Sequence, residues 1–124
     1  MGTDVKYERT DLLERTLEYS RRVIRLYRTL EKDSVARILG KQLLSSGTSI
    51  GANLHEAQAG QSRADFISKV SVAHKESIEA LYWLRLLQGE NITSDAWLLS
   101  LIDETEQLAK ILSCILLSSK KLRH

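Results

Sequence analysis

The sequence predicts an all-α chain folded as an antiparallel, up-down-up-down four-helix bundle. Three observations carry that expectation. There is no proline and there are only 6 glycines in 124 residues. Four segments repeat their apolar residues near the helical period. Between them lie only short stretches carrying helix-stop and helix-start residues. Composition agrees with a soluble globular domain rather than a disordered chain, at 43% hydrophobic and 27% charged.

Residues 1–10, MGTDVKYERT, are expected as a flexible lead into the first helix, about 11–30. In that helix Leu13, Leu17, Ile24 and Tyr27 fall on one stripe, widened by Leu12, Val23, Leu26 and Leu30. Asp11 is placed to cap it, with Glu14 three residues on. Glu14 and Glu18 come early and Arg21, Arg22, Arg25 and Arg28 late, an order that complements the helix dipole. The turn Glu31–Ser34 follows, and Asp33 or Ser34 caps a second helix, about 34–59. Gly60 is expected in the left-handed conformation that ends it, and Ser62 with Asp65 forms a capping-box variant for the third helix, about 63–88. That helix has a seam of Phe66, Val70, Ala73, Ser77, Leu84 and Leu87, with Ile67, Ile78 and Leu81 beside it. Gly89 marks its stop. Thr93 or Ser94 caps the last helix, about 95–120, whose stripe is Leu98, Leu101, Ile102, Thr105, Leu108, Leu112 and Ile115. Residues 122–124 are a basic tail. Short loops force neighbouring helices antiparallel, and helices of about 26 residues span about 39 Å.

The stretch SSGTSIGAN, Ser45–Asn53, tests the reading. It fails as a phosphate loop. Gly47 and Gly51 have three residues between them, Ala52 follows instead of lysine, and no strand precedes. As a helix it places Gly40, Gly47 and Gly51 near one face, at spacings 7 and 4. Small residues there admit a neighbouring helix at close range. Antiparallel register sets Gly47 and Gly51 level with about Leu12 to Leu17 on the first helix and Ser71 to Lys75 on the third.

No catalytic or metal motif emerges. The three histidines lack the Glu-x-x-His spacing of di-iron bundles, and His55–Glu56 lacks the second histidine of H-E-x-x-H. Cys114 stands alone among apolar neighbours and reads as a small buried thiol in a reducing compartment. No serine sits in G-x-S-x-G. Asp65, Lys69, Lys75, Glu76 and Glu79 read as a helix surface with i,i+4 ion pairs. We therefore expect no enzyme activity, no cofactor and no metal. The N-terminus has no apolar signal stretch, no run suits a membrane span, Lys6 departs from a myristoylation signal, and the Asn91–Thr93 sequon stands without a secretory signal. A cytoplasmic bacterial-type protein is the expectation.

Charge distribution is more informative than the formal net +2. Arg21, Arg22, Arg25 and Arg28 on the first helix meet Arg37 and Lys41 of the second across the short turn, a candidate nucleic-acid surface. Against it stands the ordinary alternative, a solvated face completing ion pairs. Tyr82 and Trp83 are adjacent, so one can enter the core while the other marks a subunit seam.

Two blocks carry a resemblance: QLLSSGTSIGANLHEA, Gln42–Ala57, and SRADFISKVSVAHKESIEALYWLRLL, Ser62–Leu87. They resemble the 23S rRNA intervening-sequence protein family, also called the four-helix bundle protein family. That resemblance implies a small bundle assembling as a ring, a pentamer. Genes of the family are found within intervening sequences of bacterial 23S rRNA genes and elsewhere in bacterial genomes. The fold is similar to the accessory variability proteins of diversity-generating retroelements, basic pentameric barrels that bind nucleic acid and a reverse transcriptase. No catalytic residues come with the resemblance. Many relatives carry proline where this chain has Gly51. Five copies would carry about +10 formally, raising the local potential toward polyanions. Two functions follow as expectations. One is a non-enzymatic homo-oligomer that binds structured RNA through Arg21, Arg22, Arg25, Arg28, Arg37 and Lys41. The other is an oligomeric scaffold for a protein partner, without direct RNA binding. Gly40, Gly47, Gly51, Tyr82 and Trp83 are the residues expected in close packing or assembly.

Overall fold

A computed structural model describes the backbone of residues 2–121 and the side chains of residues 11–120. Four helices follow in order: α1 Gly2–Leu30, α2 Ser34–Gln58, α3 Arg63–Gly89 and α4 Asp95–Lys121. α2 packs against α1 and α3, and α3 against α4. The chain is an all-helical four-helix bundle. Of the basic tail, residues 122–124 lie outside the described residues.

α1 starts nearer the chain start than expected, at Gly2 instead of Asp11. Asp11 is therefore an interior helical residue and caps nothing. Nothing between Thr3 and Thr10 breaks a helix once the amphipathic part has nucleated it. Each later start follows from a specific cap. Asp33 accepts the backbone N–H groups of Val35 and Ala36 at 3.0 and 2.9 Å, satisfying two of the donors a helix start leaves unpaired. Ser62 does the same for Asp65, at 3.1 Å. The Leu98 N–H reaches the Ser94 carbonyl at 3.1 Å, opening α4. The helix stops differ from expectation. Gly60 is not left-handed, and α2 ends through Ala59 in a right-handed helical conformation. The left-handed residue past α3 is Asn91, with φ 55°, because Gly89 is still inside the helix. Asparagine tolerates that conformation better than most residues.

The core is one cluster running the length of the bundle, from Tyr19, Val23, Leu26 and Leu30 to Leu98, Leu101, Leu108 and Leu112. The α4 stripe is buried from Leu98 through Leu112, with Ile115 half-buried. The α1 stripe is rotated from the expected one. Leu17 and Ile24 stand 45% and 37% exposed, while Thr16 and Tyr19 are buried in their place. Ile78, expected beside the α3 seam, is exposed, and Ala80 fills the buried position. Cys114 is exposed rather than buried, because it lies on the side of α4 away from Leu108 and Leu112.

Ser45–Asn53 is an uninterrupted part of α2. The three glycines of α2, Gly40 and the two of this stretch, carry α1. A Cβ on Gly40 would lie 3.0 Å from Tyr27, one on Gly47 3.0 Å from Val23, and one on Gly51 3.2 Å from Thr16. Gly51 meets α1 inside the expected Leu12–Leu17 level, and Gly47 one turn further along, at Tyr19 and Val23. The hydroxyls of this stretch bond within their own helix. Ser46 donates to the Gln42 carbonyl at 3.0 Å, Thr48 to Leu44 at 2.6 Å and Ser49 to Ser45 at 2.7 Å. These three are therefore spent on the backbone rather than turned toward a ligand.

Candidate nucleic-acid interface

The α1–α2 turn brings the candidate cations together. Gly40 seats against Tyr27 and Leu30, so Arg37 and Lys41, which bracket it on α2, stand level with Arg28 near the end of α1. Arg28, Arg37 and Lys41 are exposed. Among the described residues none of the three makes an ion pair or a side-chain hydrogen bond. The other candidates are committed. Arg21 and Arg25 share one carboxylate, Glu18, at 3.6 and 3.2 Å, which leaves that trio with a surplus positive charge. Arg22 is half-buried and turns to α4, where it donates to the Ser100 hydroxyl at 2.7 Å. The six residues therefore divide. Arg28, Arg37 and Lys41 form an unpaired cluster at one end, Arg21 and Arg25 extend it along α1, and Arg22 belongs to the α1–α4 seam.

That seam holds contacts the sequence pattern did not single out. Arg15 grips Glu104 with two nitrogens, at 2.8 and 2.7 Å, and also reaches Gln107 at 2.8 Å. The bond to Glu104 holds the Arg15 pKa above its ordinary value. One turn on, the Tyr19 hydroxyl and Thr105 hydroxyl bond at 2.7 Å inside the core. Burial, more than any charge nearby, pushes Tyr19 up to about 12. The partners are about ninety positions apart in the chain, so no local motif announces them. On α3, burial and then the neighbouring Glu79 push the Glu76 carboxyl above the usual range. Lys69 pairs across to Glu56 of α2 at 3.1 Å, instead of with Asp65 on its own helix.

Tyr82 and Trp83 take different environments. Tyr82 is 60% exposed, whereas Trp83 packs against the core. Their rings meet edge to face, 5.0 Å apart. The Trp83 indole nitrogen is buried without a hydrogen-bond partner. Among the described residues no cluster of His, Cys, Asp or Glu is placed to hold a metal ion. The Nδ1 of His55 is engaged by the Gly51 carbonyl at 2.8 Å. No described helix is long and apolar enough to cross a membrane.

Comparison with known proteins agrees with this architecture. Among curated proteins nothing matches the chain. A crystal structure of a protein of unknown function from the S23 ribosomal protein family of Bacteroides thetaiotaomicron superposes with a TM-score of 0.80. It is 38% identical and covers 85% of this chain and 97% of its own. The family model described as 23S rRNA-intervening sequence protein matches residues 8–114, so the chain belongs to the 23S rRNA-intervening sequence protein family.

Proposed function

We propose that this protein is a non-enzymatic, homo-oligomeric bundle that binds structured RNA through the basic end of the α1–α2 hairpin. One observation carries the proposal: Arg28, Arg37 and Lys41 flank the α1–α2 contact at Gly40 and are exposed and unpaired among the described residues. Unpaired cations on one rigid surface suit phosphate oxygens, and their contacts position a polyanion without reading its bases. Arg21 and Arg25 add charge, because Glu18 neutralises only one of them. Oligomer formation, with a pentameric ring as the form to test, would repeat the cluster and strengthen its field. The family's name associates its members with 23S rRNA intervening sequences. A bacterial cytoplasm is the setting in which such an RNA partner would be met.

The test is a titration of a hairpin RNA at 50 and 200 mM salt. If all three cations contact phosphates, their share of the affinity falls about twenty- to fortyfold between those salts. The triple variant Arg28→Glu, Arg37→Glu, Lys41→Glu should lose that dependence together with most of the binding. Binding that is absent at low salt, or unchanged in the variant, overturns the reading. A second reading, a scaffold for a protein partner or accessory subunit, draws on the exposed apolar residues Ile38 at 62% and Tyr82 at 60%. Native mass with the 260/280 absorbance ratio separates the two. An oligomer carrying nucleic acid favours RNA binding, and a nucleic-acid-free oligomer that keeps a protein partner after nuclease favours the scaffold.

A further inference from the structure

We propose that the α1–α4 seam is a polar latch, the one seam at which this bundle opens while α1 stays seated on α2. The inference rests on two contrasts. The first is spacing. α1 with α2, α2 with α3, and α3 with α4 are close-packed pairs, whereas α1 and α4 do not approach each other as closely. The second is chemistry. α1 meets α2 through Gly40, Gly47 and Gly51, each seated directly against a side chain of α1. Beside the apolar core that both helices line, α1 meets α4 through polar side chains that span a wider gap. Arg15 holds Glu104 and Gln107, Arg22 holds Ser100, and Tyr19 holds Thr105. The three α1 residues sit at i, i+4 and i+7, one face of the helix.

Such a seam responds differently from its neighbours. Opening it uncovers part of the core that α1 and α4 both line, such as Val23, Leu26, Leu101 and Leu108, but water replaces its hydrogen bonds nearly in kind, whereas separating the glycine-lined seam exposes apolar surface with nothing in exchange. The Arg15–Glu104 pair is partly open to solvent, with the side chains 29% and 17% exposed, so dissolved salt screens it. Opening at this seam uncovers Thr105 and Tyr19 and leaves the α1–α2 hairpin whole, a local rather than global event.

The test uses thiol labelling by iodoacetamide in a Cys114→Ser background, which removes the exposed native thiol. A Thr105→Cys probe reports the latch. A Ser46→Cys probe, buried on α2, reports opening elsewhere. Thr105→Cys should label at least tenfold faster than Ser46→Cys. Adding Glu104→Gln, or raising salt from 50 to 500 mM, should accelerate Thr105→Cys at least tenfold further and leave Ser46→Cys unchanged. Equal rates at the two probes would mean that only global unfolding exposes them, and would overturn the proposal. So would a Thr105→Cys rate that ignores both Glu104→Gln and salt. Should Thr105→Cys fail to fold by circular dichroism, Leu108→Cys, buried one turn along α4, takes its place under the same outcomes.

Discussion

Gly51→Ala isolates the packing role of the glycine stripe. Alanine in mid-helix gains about 1 kcal/mol of helix propensity over glycine. Opposing that gain, the new Cβ would lie 3.2 Å from the Thr16 hydroxyl oxygen, 3.3 Å from the Thr16 Cβ and 3.3 Å from its backbone carbonyl. Two of these three atoms cannot turn away by rotating a side chain, so α1 itself must shift. Overpacking of that kind costs about 1–3 kcal/mol. Setting about 2 against about 1 leaves a net loss of about 1 kcal/mol, or about 4 °C in melting temperature for a chain of this size. The control is Gly89→Ala, where a Cβ meets nothing within 4 Å and no steric loss offsets the change. Thermal melts followed by circular dichroism at 222 nm compare the two. A Gly51→Ala protein that melts as high as wild type or higher would refute the reasoning, because propensity would then dominate and the close approach would be immaterial. Gly51→Leu and Gly47→Leu extend the series and should disrupt bundle packing or assembly, shown by loss of the native elution volume.

Three further outcomes follow from named contacts. Asp33→Ala removes the cap that accepts two backbone N–H groups and should cost about 1 kcal/mol in urea unfolding, with Asp33→Asn recovering most of it. Tyr19→Phe removes the bond to Thr105, whose hydroxyl still donates to Leu101 at 2.6 Å, so the loss should stay near 1 kcal/mol at pH 7. The same variant sets the alkaline behaviour. Burial raises the Tyr19 pKa from 10.0 to about 12, so the folded state favours the neutral phenol. Its stabilising share is complete below pH 10 and is lost as pH rises toward 12, by roughly 2 kcal/mol. Wild type should therefore lose stability over that range relative to Tyr19→Phe, measured by urea midpoints at pH 9.5 and 11.5.

Element existence was legible because helical period, caps and the lack of proline are local properties. Asp33 and Ser62 start their helices as their chemistry requires. The α4 stripe is buried as its spacing predicts. The α1 stripe was misread because its apolar residues cover more than one face. Periodicity cannot choose between Leu17 and Tyr19 until a partner helix arrives, and Thr105 supplies the bond that makes a buried tyrosine hydroxyl acceptable. The candidate interface divides along the same line. Sequence placed six cations around one turn. Glu18 pairs with Arg21 and Arg25 within α1 itself, but only the fold gave Arg22 to Ser100, leaving Arg28, Arg37 and Lys41 unpaired among the described residues.

The sequence by itself determined four helices, their order and turns, and a thin glycine face on α2, because these follow from neighbours within a few residues along the chain. Tertiary structure decided which face of α1 is buried, which cations remain free and where the bundle is polar inside. The buried face, the placing of Arg22 and the polar interior depend on α1 meeting α4, roughly eighty to ninety residues away, and on the width of the gap their side chains must span.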